Sequence, residues 1–213
     1  GKIIRGWLGV TIQELTPELS QKFGLEKSKG ALVSDIAKGS PADKAGIMRG
    51  DIILEFNGKE VRDVGNLRNM VAQSKVGSDV SIKILRSGKE YIVRLVIVEL
   101  PREVAEVVPS NLPDDLEAGA FTGLNVISLT KEIAKQLGLT KDEKGVVVVR
   151  VEPLSPADEA GIKKGDVIKE VDKKQVENLE DFNRIASNLK RNETALLFIT
   201  RGDKKFYVTL RAS

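Results

Sequence analysis

The feature that most constrains this chain is an internal repeat. When the sequence is compared with itself, residues 30–95 align without a gap with residues 145–210. The best-matched part pairs residues 40–51, which read SPADKAGIMRGD, with residues 155–166, which read SPADEAGIKKGD. Such a repeat predicts two homologous domains, and the 213 residues are enough for each to bury its own core.

The segments before and between the copies are less well matched. Trp7-Leu8-Gly9-Val10 aligns loosely with Gly123-Leu124-Asn125-Val126. Residues 99–118 contain three prolines and the acidic pair Asp114-Asp115, and they show no sustained apolar period, which is typical of a semi-rigid linker. We therefore predict a first domain over residues 1–98, a linker over 99–118 and a second domain over 119–213.

Both domains show the same order of short apolar strands and short helices. In the first, Thr16-Pro17-Glu18 and Ser40-Pro41 have the cap, first-turn proline and acidic residue that begin a helix. Apolar residues at helical spacing predict a further helix over 64–72. Alternating apolar residues predict strands at 8–12, 31–36, 51–56, 80–85 and 91–98. The predicted fold is mostly β, of the α+β class, with a small antiparallel barrel or sandwich and two main helices in each domain.

Composition excludes several classes of function. The chain has no histidine and no cysteine, so it can contain no Ser-His-Asp triad, no histidine metal site and no thiolate chemistry. The net charge is +3 and both signs are interspersed, which predicts solvated faces and no binding of nucleic acid. No apolar run is long enough for a membrane span, and the first residues lack the core of a signal peptide. We expect no cofactor and no metal, because Asp114-Asp115 lacks further spaced ligands.

Several motifs together resemble a known family. Arg5-Gly6-Trp7-Leu8-Gly9-Val10, followed by Gly46-Ile47 and Gly50-Asp51-Ile52-Ile53, resembles the circularly permuted bacterial PDZ domain. The paired copies resemble the two PDZ domains that follow the protease domain of HtrA/Deg (Do-like) serine proteases. The resemblance implies a regulatory fragment without a catalytic domain, a periplasmic location, and three kinds of partner: peptides and C-termini of unfolded proteins, the fragment's own protease domain, and further copies in a homo-oligomer.

The resemblance also implies a binding groove. In a PDZ domain, an extended peptide adds as a strand beside a helix, and backbone N–H groups of a short loop bind its terminal carboxylate. The implied carboxylate loop has the amides of Leu8, Gly9 and Val10, with Arg5 as a counter-charge. The candidate peptide-binding residues are Arg5, Trp7, Leu8, Gly9, Val10, Thr11, Ile12, Leu67, Met70 and Val71 in the first domain, and Leu124, Asn125, Val126, Phe182, Ile185 and Ala186 in the second.

The second copy departs from the first at this site. In the loose alignment, Asn125 replaces the loop glycine, and Phe182 replaces Leu67. A side chain on the loop would impede the backbone turn, and the phenylalanine would reshape the pocket. We therefore expect the first domain to bind peptides better, and the second to be tuned differently or to serve domain contacts.

Three other hypotheses remain open at this point. One is the sensor PDZ tandem of a membrane-embedded, site-2-type metalloprotease, which also captures peptides. Another is a hydrolase that uses Ser128 and Lys131, since Ser128-Leu129-Thr130-Lys131 fits a Ser-x-x-Lys pattern. That pattern is loose and lies at a predicted strand-to-helix junction, which favours a structural role. The third is a spacer that binds no peptide.

Overall fold

The structure is a computed structural model, and it describes residues 6–101, 121 and 123–212. The chain divides into two compact units, Gly1–Val104 and Ala105–Ser213. We call them domain 1 and domain 2. Most of the predicted linker lies outside the described residues, so the domain limits 1–98, 99–118 and 119–213 remain a prediction. Among the described residues, no helix is long and apolar enough to cross a membrane.

Domain 1 is built on an antiparallel sheet with strand order β2-β3-β4-β6-β7, in which β5 pairs with β4 and β1 forms a separate pair with β8. Its strands are β1 (Gly6–Trp7), β2 (Val10–Gln13), β3 (Ala31–Ile36), β4 (Ile52–Phe56), β5 (Lys59–Glu60), β6 (Asp79–Arg86), β7 (Lys89–Val96) and β8 (Val98–Glu99). Its helices are α1 (Pro17–Lys22), α2 (Pro41–Lys44) and α3 (Val64–Gln73).

Domain 2 repeats this plan with strand order β9-β10-β11-β13-β14, and β12 pairs with β11. Its strands are β9 (Leu124–Ser128), β10 (Val146–Val151), β11 (Val167–Val171), β12 (Lys174–Gln175), β13 (Thr194–Arg201) and β14 (Lys204–Arg211). Its helices are α4 (Lys131–Gln136), α5 (Pro156–Glu159) and α6 (Leu179–Ser187).

The predicted helix starts are confirmed by their caps. The hydroxyl of Thr16 accepts from the N–H of Leu19 at 3.1 Å, and that of Ser40 accepts from the N–H of Asp43 at 3.2 Å. Proline occupies the first turn in both helices, where its missing N–H leaves no helical hydrogen bond unmade. Local sequence therefore determines where α1 and α2 begin.

The sheet differs from the prediction in two respects. In the described residues it does not close into a barrel: β2 and β7 form its two edges in domain 1, as β9 and β14 do in domain 2. The predicted strand over residues 8–12 is also interrupted, because Gly9 has a φ of +87° that no strand residue adopts. The interruption separates β1 from β2 and forms a short loop between them.

Candidate functional site

An unpaired strand edge is the first element of the site. β2 pairs only with β3 among the described strands. The N–H of Ala37 donates to the carbonyl of Gly9 at 2.8 Å, so Val10 faces Ile36 as a non-hydrogen-bonded pair. Farther along, Val33 faces Ile12 but donates its N–H to Asp51 on the other side, at 2.8 Å. The N–H and C=O groups of Val10 and Ile12 therefore point to the open edge, where an added strand can pair with them.

The loop between β1 and β2 is the second element. Its carbonyl groups face the segment around α2, since Leu8 accepts from the N–H of Ala42 at 3.0 Å and Gly9 accepts from Ala37. Within the part of the chain that the structure describes, the N–H groups of Leu8, Gly9 and Val10 donate to no acceptor. Because N–H and C=O of a peptide unit point in opposite directions, the N–H groups of Gly9 and Val10 are turned away from α2. They form a cluster of free donors suited to an anion.

The conformation of this loop requires glycine. A Cβ atom on Gly9 would lie 2.1 Å from the Cβ of Ser40, and the positive φ is unfavourable for any other residue. A Cβ atom on Gly6 would lie 2.7 Å from the carbonyl oxygen of Val71, at the C-terminal end of α3. Both glycines thus allow close approach, one to the segment before α2 and the other to α3.

Helix α3 supplies an apolar wall. Leu67 is 1% exposed and belongs to the core of domain 1. Met70 and Val71, like Val10 and Ile12 on β2, are only partly buried and pack against the same core. Between the open strand edge and the helix, domain 1 therefore presents partly exposed apolar side chains next to the free amides.

A side-chain hydrogen bond ties the helix to the strand. Just after β2, the carboxylate of Glu14 accepts from the N–H of Val64, the first residue of α3, at 3.2 Å. In domain 2, the hydroxyl of Ser128 accepts from the N–H of Leu179, the first residue of α6, at 2.9 Å. The bond occupies the same place in both domains with a different acceptor, and sequence analysis did not identify it.

The structure corrects the alignment of the two edge strands. Val10, Thr11 and Ile12 face Ile36, Asp35 and Val33, whereas Leu124, Asn125 and Val126 face Val151, Arg150 and Val148. Since those partner residues match each other in the repeat, Leu124 corresponds to Val10, Asn125 to Thr11 and Val126 to Ile12. The loop glycine of domain 2 is Gly123, whose φ is +79° and whose added Cβ would lie 2.4 Å from the Cβ of Ser155. The prediction that Asn125 replaces the loop glycine was therefore wrong, and the cause is one extra residue in domain 2 between the edge strand and the next strand.

The groove positions of domain 2 are filled by its own core. Leu124, Val126, Phe182, Ile185 and Ala186 are each 8% exposed or less. Of the corresponding residues of domain 1, only Leu67 is buried to that extent. Phe121 is 2% exposed and its ring centroid lies 5.9 Å from that of Phe182. Its carbonyl also accepts from the N–H of Leu124 at 3.2 Å, so the outward amide that matches Val10 is already bonded.

The remaining predicted residues are placed as follows. Arg5 lies outside the described residues, so its role as a counter-charge stays a prediction. Trp7 is partly buried in β1, where it pairs with Val98. The hydroxyl oxygen of Ser128 holds the start of α6 and Lys131 is exposed at the start of α4. No group of three potential metal ligands occurs within the described ranges.

Each domain contains an ion pair that sequence analysis did not identify, next to α2 in domain 1 and next to α5 in domain 2. Asp51 is 1% exposed, and its two carboxylate oxygens accept from Arg86 at 2.7 and 2.6 Å. Arg86 also donates to the carbonyl of Gly46 at 2.8 Å. The hydrogen bond to Asp51 raises the pKa of Arg86 above its usual value. Asp166 and Arg201 repeat the arrangement in domain 2, and the equal spacing of these pairs in the repeat is the signal that could have revealed them.

The chain is similar to a known protein family, to curated proteins and to solved structures. The family described as PDZ domain matches residues 6–97 and 126–211. A "Probable periplasmic serine endoprotease DegP-like" of Chlamydia trachomatis is 38% identical over 212 residues, which is 100% of this chain and 40% of that protein. A protein of the same description from Hahella chejuensis is 34% identical over 99% of this chain and 44% of its own length. Among solved structures, "HtrA-type protease AlgW with decapeptide" is 35% identical over 47% of this chain and 31% of that chain, with a TM-score of 0.44. The chain thus spans less than half the length of these curated relatives.

Proposed function

The chain belongs to the PDZ domain family, and on that premise we propose that domain 1 binds the hydrophobic C-terminus of a polypeptide. The single observation that carries the proposal is that domain 1 combines a free strand edge with three backbone N–H groups at its end that donate to no acceptor among the described residues. A peptide strand pairs with Val10 and Ile12, its carboxylate accepts from Leu8, Gly9 and Val10, and its last side chain packs on Met70 and Val71.

The chemistry sets the specificity expected of this site. Hydrogen bonds to a charged acceptor are worth about 1.5–3 kcal/mol each, and burial of one apolar side chain adds about 1.5–3 kcal/mol. Ordering of the peptide offsets much of this, so the affinity should be micromolar, about −8 kcal/mol. Both a free terminal carboxylate and an apolar last residue should be needed.

Domain 2 has a different role in the proposal. Its filled groove and its bonded Leu124 amide leave no equivalent site, which favours a role in contacts with other domains or other copies. In a longer protein of the DegP-like kind, the tandem would capture unfolded polypeptides, relay their binding to a protease domain and help to assemble oligomers in the periplasm. The chain itself would not be catalytic, because it lacks histidine and the Ser128 hydroxyl serves as a structural acceptor.

A titration tests the proposal. Short peptides that end in an apolar residue are added with either a free or an amidated C-terminus, and the fluorescence of Trp7, the one tryptophan in the chain, is followed. We expect saturation in the micromolar range with the free acid, and an affinity at least about tenfold lower with the amide. Equal affinities would mean that the loop does not bind a carboxylate, and no response in fluorescence or calorimetry would favour a spacer.

A further inference from the structure

A second concave site lies in domain 1 on the other side of the carboxylate loop. It is a pocket of about 420 Å³ between α2 and β7, and Trp7 is one of the residues that line it. Ser40, whose Cβ side approaches Gly9, also lines it. None of Leu8, Gly9, Val10, Ile12, Met70 and Val71 lines this pocket, so it is separate from the proposed peptide groove.

The walls of the pocket are apolar and its rim is cationic. Val96 and Val98, which are 49% and 36% exposed, both line it. Lys38, Lys44 and Arg94 are the charged residues that line it, and no carboxylate lines it with them. Within the described ranges, none of these three cations forms an ion pair or a side-chain hydrogen bond.

The same place in domain 2 has lost this character. In the repeat, Lys38 corresponds to Pro153, Lys44 to Glu159 and Arg94 to Thr209. Three positive charges in domain 1 are thus replaced by one negative charge and two uncharged residues, although α2 and β7 have counterparts in α5 and β14. The fold alone does not require the cations.

We propose that this pocket binds an acidic segment of a partner polypeptide. An apolar side chain of the segment packs between Trp7 and Val96, and its carboxylates lie against Lys38, Lys44 and Arg94. The charge complementarity selects the partner: three unpaired cations around apolar walls match a chain that has several carboxylates and an apolar residue among them. A single small anion could not contact all of these features at once.

A bound segment would contact the chain next to the residues that hold the carboxylate loop in place. Ser40 lies in the pocket wall, and two residues later the N–H of Ala42 holds the carbonyl of Leu8 at 3.0 Å. Binding in the pocket nevertheless requires only the pocket's own residues, and it does not depend on peptide binding in the groove.

The test uses the full chain and acetyl-Leu-Glu-Glu-Leu-Asp-amide, whose blocked end cannot use the carboxylate loop. Binding is measured by calorimetry at low salt, and the site is located by ¹⁵N–¹H spectra. We expect saturable binding with shifts at Lys44, Arg94 and the Trp7 indole, and weakening by about tenfold in the double variant Lys44→Glu/Arg94→Glu. The matched control Lys89→Glu, an exposed cation on the same strand β7, should leave the affinity unchanged.

Two further measurements distinguish an acidic segment from a neutral peptide and from a small anion as the ligand. The peptide with Gln and Asn in place of Glu and Asp should bind about tenfold more weakly, and inorganic phosphate should not displace the acidic peptide at equal concentration. Equal binding of the neutral peptide, displacement by phosphate, or insensitivity to the double variant would each overturn the proposal. Because the double variant should still bind a free-acid hydrophobic peptide in the groove, failure here is distinguishable from failure of the groove.

Discussion

Replacement of Gly9 by alanine tests the geometry of the carboxylate loop, and domain 1 contains a matched control. Gly9 has a φ of +87° and Gly77 a φ of +88°, so alanine pays the same backbone cost of about 1 kcal/mol at either position. At Gly77 the new Cβ meets nothing within 4 Å, whereas at Gly9 it lies 2.1 Å from the Cβ of Ser40. The difference between the two variants therefore isolates the close contact.

The size of that difference follows from what must move. Two Cβ atoms normally remain at least about 3.5 Å apart, so Ser40 or the loop has to shift by more than an ångström. Such a shift breaks the hydrogen bonds Ala42 N–H to Leu8 and Ala37 N–H to Gly9, each worth about 1 kcal/mol. We expect Gly9→Ala to destabilise domain 1 by about 2 kcal/mol more than Gly77→Ala does.

The assay is urea unfolding followed by the fluorescence of Trp7, which reports domain 1 alone because the chain has one tryptophan. The same samples are titrated with a free-acid hydrophobic peptide under native conditions. Gly9→Ala should bind the peptide at least about tenfold more weakly, while Gly77→Ala should keep the original affinity. Equal destabilisation by the two variants, or unchanged peptide affinity in Gly9→Ala, would refute the reasoning.

Three other substitutions give independent predictions. Asp51→Ala removes the buried carboxylate of the Asp51–Arg86 ion pair and should lower the free energy of unfolding of domain 1 by about 3 kcal/mol, measured by the same fluorescence; a loss below about 1 kcal/mol would contradict the role of the ion pair. Met70→Ala should weaken the binding of an apolar C-terminal peptide about tenfold in calorimetry. The control is Asn69→Ala, a substitution of its exposed neighbour, which should leave the affinity unchanged. Ser128→Ala should lower the free energy of unfolding of domain 2 by about 1 kcal/mol, measured by thermal unfolding in circular dichroism, because the N–H of Leu179 at the start of α6 loses its acceptor. Lys131→Ala should have no effect, and equal effects of the two variants would argue against that hydrogen bond.

Much of the fold follows from local signals. The strand Ala31–Ile36 coincides with the predicted one, because it is a short run of apolar and β-branched residues between turn residues. Helix α3 begins at the predicted Val64, where the carboxylate of Asp63 caps it. Periodicity and caps are short-range properties, so a single sequence reveals them.

The errors arise where long-range pairing decides. The loose alignment relied on Trp7-Leu8-Gly9-Val10 and Gly123-Leu124-Asn125-Val126, in which apolar residues match in more than one register. The ladder with the next strand resolves the register, since a shift by one residue would turn every core side chain to the opposite face. The Asp51–Arg86 pair likewise joins residues that are 35 positions apart in sequence, which local patterns do not specify.

The most direct test of the central claim is one ¹⁵N–¹H titration of the full chain with a free-acid hydrophobic peptide, read at the amides of Gly9 and Gly123. These two residues hold the same place in the two domains, each with a positive φ and each against a capping serine. We predict large, saturable shifts at Gly9, with Val10 and Ile12 following, and none at Gly123 or Leu124. Equal shifts in both loops, or shifts in domain 2 alone, would contradict the assignment of the binding groove to domain 1.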